Sequence, residues 1–216
     1  MHHYQLYIFD WDGTLMDSIG KIVTSLQHAA SEADLPVPSI PACKRIIGAG
    51  LHDACDILFP NASNRQLHAL QQAYRQHFIS FNQVASPMFK GSIELLEALQ
   101  DKDKKLAIAT SKGRYGLEEV LSETKLTDFF HCLRCADDAK AKPDPDMLEQ
   151  ILTTLSIERE QAVYIGDSRY DIDMAHNAGI DSIAITHGAG HIDELNQRRP
   201  TRMVHSVSEL SKLVIG

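Results

Sequence analysis

Two carboxylates, Asp10 and Asp12, stand two residues apart directly after an apolar run at 6–9, with Gly13 and Thr14 next in line. At the end of a strand this spacing lets both side chains address one side of the chain while the residue between them turns away. Close carboxylates repel, so the pair calls for a cation or a shared proton. Taken alone it reads equally as a strand running into a polar turn. Three further groups change that reading. Thr110-Ser111 follows the apolar run 106–109, Lys142-Pro143 opens a helical segment, and Gly166-Asp167-Ser168-Arg169-Tyr170-Asp171 follows the apolar run 162–165. Pooled, they supply four aspartates, one lysine and small hydroxyl residues. That is an oxygen-ligand set for a hard cation such as Mg2+, with a phosphoryl group beside it.

The elements that must position these groups are readable from the apolar pattern. Strand-like runs recur at 6–9, 106–109, 162–165 and 182–186, with weaker ones at 131–135 and 203–204. Helical patterns at 92–100, 116–124, 146–155 and 171–178 separate them, Ser92 reading as an N-cap and Gly179 as a helix stop. This alternation predicts a parallel α/β sheet, whose strand ends gather on one edge however distant they are in sequence. Between 18 and 86 the rhythm breaks. Helical segments at 19–33, 40–47, 51–58 and 65–80 follow one another with no strand, and prolines at 36, 38, 41 and 87 punctuate the stretch. An all-helical insertion after the first strand is expected to sit as a cap above the strand ends, giving a core of 1–17 and 87–216 and a cap of 18–86.

Composition removes several function classes. A formal net charge of −8 lacks the basic face that a nucleic-acid partner requires. An anionic substrate must then be drawn by local positive charge against the global field, which favours a metal and a lysine. No run approaches the roughly 18 apolar residues of a membrane helix, and the first strand begins too early to leave room for a signal peptide. Four cysteines in 216 residues are too few for a disulfide scaffold and imply reduced thiols in a cytoplasmic protein. Cys132 and Cys135 form one C-x-x-C beside His131, but no second pair completes a zinc site; they read as buried strand cysteines.

With these motifs the chain resembles the haloacid dehalogenase-like hydrolase superfamily, in its phosphoglycolate-phosphatase-like branch. The resemblance rests on D-x-D-G-T-L-x-D-S at 10–18, the hydroxyl motif at Thr110, Lys142-Pro143 and G-D-S-x-x-D at 166–171, and it spans nearly the full length. It implies a Rossmann-like parallel-sheet core with an inserted α-helical cap, and a Mg2+-dependent phosphatase acting on a small phosphorylated metabolite. It also implies roles. Asp10 is the nucleophile that forms an aspartyl-phosphate, and Asp12 is the general acid and then the base, its proton affinity raised by Asp10 and Asp167. Mg2+ is held by the Asp10 carboxylate, the Asp12 backbone carbonyl and Asp167, with Asp171 in support. Thr110, Ser111 and Lys142 bind the phosphoryl group, and Lys142 is preferred to Lys140 because the motif lysine precedes proline.

An inorganic pyrophosphatase and a sugar phosphomutase share this machinery, and a regulatory module could keep the fold without turnover. The intact set of Asp10, Asp12, Thr110, Lys142 and Asp167 argues against the last. Trp11 between the aspartates is assigned to packing, Asp17 and Ser18 read equally as helix capping, and the Gly-rich loop 186–190 is expected to line the edge of the site. In the cap, Gly48 and Gly50 flank a turn that can approach the core closely. Lys44, Arg45 and Gly48 are therefore the expected specificity segment, arginine being suited to a carboxylate or second phosphate on the leaving group.

Overall fold

The computed structural model describes residues 4–216. Six parallel strands form one sheet, β1 (Leu6–Phe9), β2 (Lys105–Ala109), β3 (Cys132–Arg134), β4 (Ala162–Gly166), β5 (Asp181–Ile185) and β6 (Arg202–Val204), in the order β3-β2-β1-β4-β5-β6. Every residue of β1 is buried because helices cover both sides of the sheet, so alternate residues feed two separate cores. Tyr7 and Phe9 of β1, with Ile108 of β2 and Ile165 of β4, face the core built with helices α5 (Ser92–Gln100), α6 (Arg114–Thr124) and α10 (Val207–Ile215). Leu6 and Ile8 face the opposite core, built with α7 (Asp146–Leu155) and α8 (Arg169–Ala178). The short helix α9 (Ile192–Gln197) packs Leu195 against Ile172 and Ala184.

Strand order reverses direction at β1, which lies between β2 and β4. Phe9 is in register with Ile108 on one side and Ile165 on the other. The residues that follow these three strands therefore emerge together into the crevice that such a switch point opens.

The expected strands and core helices form, with ends shifted by one or two residues. Ser92 is a correction. Gly91, with φ +91°, is the N-cap of α5, and Ser92 is its first helical residue. The Ser92 hydroxyl donates instead to the Leu15 carbonyl at 3.1 Å, because the buried start of α5 abuts the chain leaving β1. Gly179 does close α8, at φ +68°. The C-terminal helices α9 and α10 were not anticipated.

Between β1 and β2 the chain is helical: α1 (Ile19–Glu32), α2 (Ile40–Ile46), α3 (Leu51–Leu58), α4 (Asn64–Gln76) and a π-helical turn, His77–Phe81. Ser39 and Ser63 cap α2 and α4 by accepting from Ala42 N and Gln66 N. These helices carry their own apolar clusters. Ile19, Ile22, Val23 and Leu26 of α1 meet Cys43 and Ile46 of α2, and Ala29, Ala30 and Ala33 meet Cys55, Leu70 and Ala73. Among the described residues no helix is long and apolar enough to cross a membrane.

Ile108, fully buried at the sheet centre, is expected to lose about 2–5 kcal/mol on truncation to alanine, through lost transfer energy and a residual cavity. Ile57, half exposed on α3, is expected to stay within about 0.5 kcal/mol of wild type on the same change. Urea unfolding of both variants checks the contrast, and equal losses would contradict this assignment of the core.

Candidate active site

Asp10 follows β1, Thr110 follows β2 and Asp167 follows β4, and all three are buried. Lys142 reaches the same point from the loop before α7 and is also buried. Its ammonium lies 2.9 Å from Asp10 Oδ1 as an ion pair without the angles of a hydrogen bond, and it donates to Asp171 Oδ1 at 2.7 Å and to the Tyr164 hydroxyl at 2.8 Å. Lys140, the competing lysine, is exposed and pairs with Asp144. Burial alone would lower the pKa of Lys142, but the charges of Asp10 and Asp171 outweigh it, and its pKa is raised.

The carboxylates are less balanced. One oxygen from each of Asp10, Asp167 and Asp171 falls within a cluster 4.8 Å across. Burial, the largest influence, pushes Asp10 up to about 6; Asp171 and Asp12 add to it and Lys142 opposes it. Asp167 is held well above the usual carboxylate range by burial, then by Asp171 and Asp10, despite accepting hydrogen bonds from Ala189 N at 2.7 Å and Thr14 Oγ1 at 2.9 Å. Three buried carboxylates against one ammonium leave an excess of negative charge that protons or a cation must neutralise. An all-oxygen donor set with an incompletely bonded Asp10 Oδ1 fits a hard divalent ion. Asp171 is the most committed of the three. Besides Lys142 it accepts from Ser168 N, Ser168 Oγ and Tyr164, in the capping box that starts α8.

Asp12 sits at the edge of this cluster, its Oδ1 accepting from Ser18 Oγ at 2.7 Å and both oxygens contacting Lys112 Nζ, at 3.3 and 3.2 Å. Ser18 begins α1, yet its side chain makes no cap bond; it faces Asp12 instead. Lys112 was missed in the sequence, although it stands two residues after Thr110. Thr110 Oγ1 accepts from Lys112 N, and Ser111 Oγ donates to the Gly48 carbonyl at 2.7 Å, tying the α2–α3 turn to the core. Trp11 is fully buried, edge-on to Phe130, as a packing residue.

The loop after β5 does more than line the edge. A Cβ on Gly188 would stand 2.1 Å from Asp167 Oδ2, and one on Gly13, at φ +88°, 2.5 Å from the same atom. Side chains at either position would displace the carboxylate, so two backbone segments close tightly on Asp167.

A cavity of about 580 Å3 opens from Asp10, Asp12 and Thr110 toward α1, α2 and α4. Gly48 lines it, but Lys44 and Arg45 do not; both are exposed, because α2 turns Cys43 and Ile46 inward. The cations that line it are Lys112, Arg75 and Arg114.

These charges predict a pH signature. A carboxyl whose pKa is raised by folding stabilises the fold below its ordinary value of 3.8 and loses that contribution as pH rises through its folded value, about 6 for Asp10. In EDTA, melting temperature is expected to fall across that window. Mg2+ is expected to raise it more at pH 7.5 than at pH 5, and Asp167→Asn to remove the Mg2+ increment. A flat profile with no response to Mg2+, followed by scanning fluorimetry, would contradict the charge assignment.

The comparisons with known proteins fall on this geometry. Residues 7–185 match the haloacid dehalogenase-like hydrolase family. Over 205 residues the chain is 29% identical to tyrosine-protein kinase PtkA of Mycobacterium tuberculosis, covering 94% of this chain and 69% of that protein. It is 25% identical over 226 residues to a phosphoglycolate phosphatase of Pseudomonas savastanoi, covering 98% and 79%. The crystal structure of a hydrolase from Pseudomonas syringae superposes with a TM-score of 0.89 at 25% identity, covering 97% of each chain. Since the matched span runs from β1 to the end of β5 and holds Asp10, Asp12, Thr110, Lys142, Asp167 and Asp171, this chain belongs to the haloacid dehalogenase-like hydrolases.

Proposed function

We propose that this hydrolase is a Mg2+-dependent phosphatase that cleaves a small phosphomonoester through an aspartyl-phosphate on Asp10. The observation that carries the reading is the Asp10 carboxylate, buried at the end of β1, paired with Lys142 at 2.9 Å and open to a cavity. Asp10 attacks phosphorus, forming an oxygen–phosphorus bond as the bond to the leaving oxygen breaks. Asp12, held by Ser18 and Lys112 where it lines the cavity, gives its proton to that oxygen. In the second half-reaction Asp12 takes a proton from water, whose oxygen attacks phosphorus and releases Asp10 and inorganic phosphate.

Thr110, Ser111 and Lys142 receive the phosphoryl oxygens, and the Lys142 ammonium offsets charge on both Asp10 and the phosphoryl group. The Asp10 and Asp167 carboxylates and the Asp12 carbonyl would hold Mg2+, with Asp171 in support; when bound, the ion neutralises carboxylate and phosphoryl charge. A relative named phosphoglycolate phosphatase, 79% of which this chain covers, supports the same class of reaction here. Residues 18–86 act as a cap over a core of 1–17 and 87–216, of which 1–3 lie outside the described residues.

Asp10→Asn is expected to abolish release of phosphate from an aryl phosphate, and EDTA to do so reversibly in the wild type. Asp12→Asn is expected to lose roughly 10²–10⁴-fold, and less on an aryl than on an alkyl phosphate, since a good leaving group needs less protonation. Steady-state assays on both esters decide it, and equal losses would remove Asp12 as the general acid.

Closure of the cap on the core would exclude water from the phosphoryl group. Hydrogen exchange with Mg2+ and beryllofluoride is then expected to slow in the linkers around Asp17 and Pro87. Unchanged exchange in both would remove the cap assignment.

A further inference from the structure

The cavity above the strand ends has two unlike halves. Its floor is polar: Asp10, Asp12, Thr110 and Ser111. Its walls are Ile22 and Leu26 from α1, Ile46 and Ile47 from the end of α2, Tyr74 from α4 and Phe78 from the π-helical turn. Its volume of about 580 Å3 lies within the roughly 300–1,000 Å3 of sites that enclose ligands of drug size, well beyond the need of a phosphoryl group on a two-carbon acid.

Charge at the walls decides what else could occupy that space. Lys112 is committed to both oxygens of Asp12, and its ammonium also lies 4.5 Å from the centre of the Phe78 ring. Arg114 is committed to Asp138 and, at 3.9 Å, to Glu118. Arg75 is exposed, at the solvent side of α4. No buried cation lining the cavity is therefore left to neutralise a second anionic group, while Asp12, Glu118 and Asp137 would repel one. Lys44 and Arg45 face away. Removing a carboxylate from water into such walls without a partner is strongly unfavourable.

What the walls offer is ring-shaped contact. Tyr74 and Phe78 stand one helical turn apart, their ring centroids 5.8 Å apart and their planes tilted by 35°. Two rings so placed give a third ring offset or edge-on contact, the arrangements aromatic pairs prefer. The Tyr74 hydroxyl has no hydrogen-bond partner among the described residues, and its ring lines the cavity.

We propose that this cavity is a leaving-group subsite for phosphomonoesters whose alcohol is a neutral, ring-sized apolar group. The proposal deepens the phosphatase reading and rests on it for the placement of the phosphoryl group. Ile22, Leu26, Ile46 and Ile47 bury the ring, Tyr74 and Phe78 meet it from one side, and the phosphoryl group sits on the floor with Asp10. Small carboxylate-bearing esters are disfavoured because, among the described residues, the lining cation without an ion pair, Arg75, is exposed to solvent rather than buried in the walls.

Binding of non-hydrolysable probes tests this without turnover. Isothermal titration with Mg2+ present compares 2-naphthylmethylphosphonate with phosphonoacetate. The naphthyl probe is expected to bind at least tenfold more tightly. Phe78→Ala is expected to weaken the naphthyl probe at least tenfold and phosphonoacetate less than threefold. Since that variant could disturb the π-helical turn, Leu26→Asn provides a second lesion on another helix with the same expected split. Phosphonoacetate binding as tightly as the naphthyl probe, or no binding of the naphthyl probe, overturns the proposal. So do losses equal for both probes in folded variants. Hydrolysis of acetyl phosphate, whose acetyl group needs no ring subsite, reports separately on the phosphatase reading: loss of preference with acetyl phosphate turnover intact defeats the subsite alone.

Discussion

The ammonium of Lys142, buried between Asp10 and Asp171, is the charge around which the rest of this site is arranged. A lysine taken out of water so completely persists only if carboxylates and further hydrogen bonds replace its solvent. Here Asp10, Asp171 and the Tyr164 hydroxyl do so. Tyr164 in turn lies 2.8 Å from the Ala109 carbonyl, so the network ties the ends of β2 and β4 together. Removing either carboxylate takes one charged partner from the ammonium, whereas keeping both, with Asp167 alongside, overshoots neutrality. The surplus negative charge gives the site the character of one that could hold a cation.

Much of this was legible in the sequence because the signals were local. Strands buried on both faces give unbroken apolar runs, and the motif residues stand directly after them, so β1, β2 and β4 and the residues Asp10, Thr110 and Asp167 followed from pattern and spacing alone. The selection of Lys142 over Lys140 came from the adjoining proline, and the structure places the first inside and the second in solvent. What escaped depends on contacts across the fold. Ser92 has the chemistry of a cap, but a carbonyl from the chain after β1 takes its hydroxyl. Lys112 looked like a surface residue after a strand until the partner, Asp12, was brought to it across a separation of 100 residues. Lys44 and Arg45 had the right charge in the right segment. Their orientation was set by Cys43 and Ile46, which the small cluster between α1 and α2 required inside.

Glycines show a second kind of information that sequence carries only in part. Gly13, Gly48 and Gly188 are far apart in the chain, yet each lies where a side chain would strike Asp167 or Ser168. Their spacing predicts turns. It does not predict that three turns converge on one short segment after β4. Two of them restrict the carboxylate of Asp167, while the third brings the α2–α3 turn into hydrogen bonding with Ser111. The helical segment is thus held to the core at the very residues proposed to bind the phosphoryl group, and any displacement of that segment must be felt at Ser111.

The apolar walls and the charged floor act on one another. Electrostatic interactions strengthen as water is excluded, so covering the floor with Ile46, Ile47 and Phe78 raises the influence of Lys142 on Asp10 and on any phosphoryl group beside it. The same covering raises the cost of leaving the carboxylates unneutralised, in the same direction as the burial that pushes Asp10 up to about 6. A more polar wall would relieve that cost by admitting water, and would weaken the attraction to the phosphoryl group in the same measure. Apolar lining and carboxylate surplus are therefore two sides of one constraint: in the proposed function, the walls that admit an uncharged leaving group also keep the charges beneath them effective.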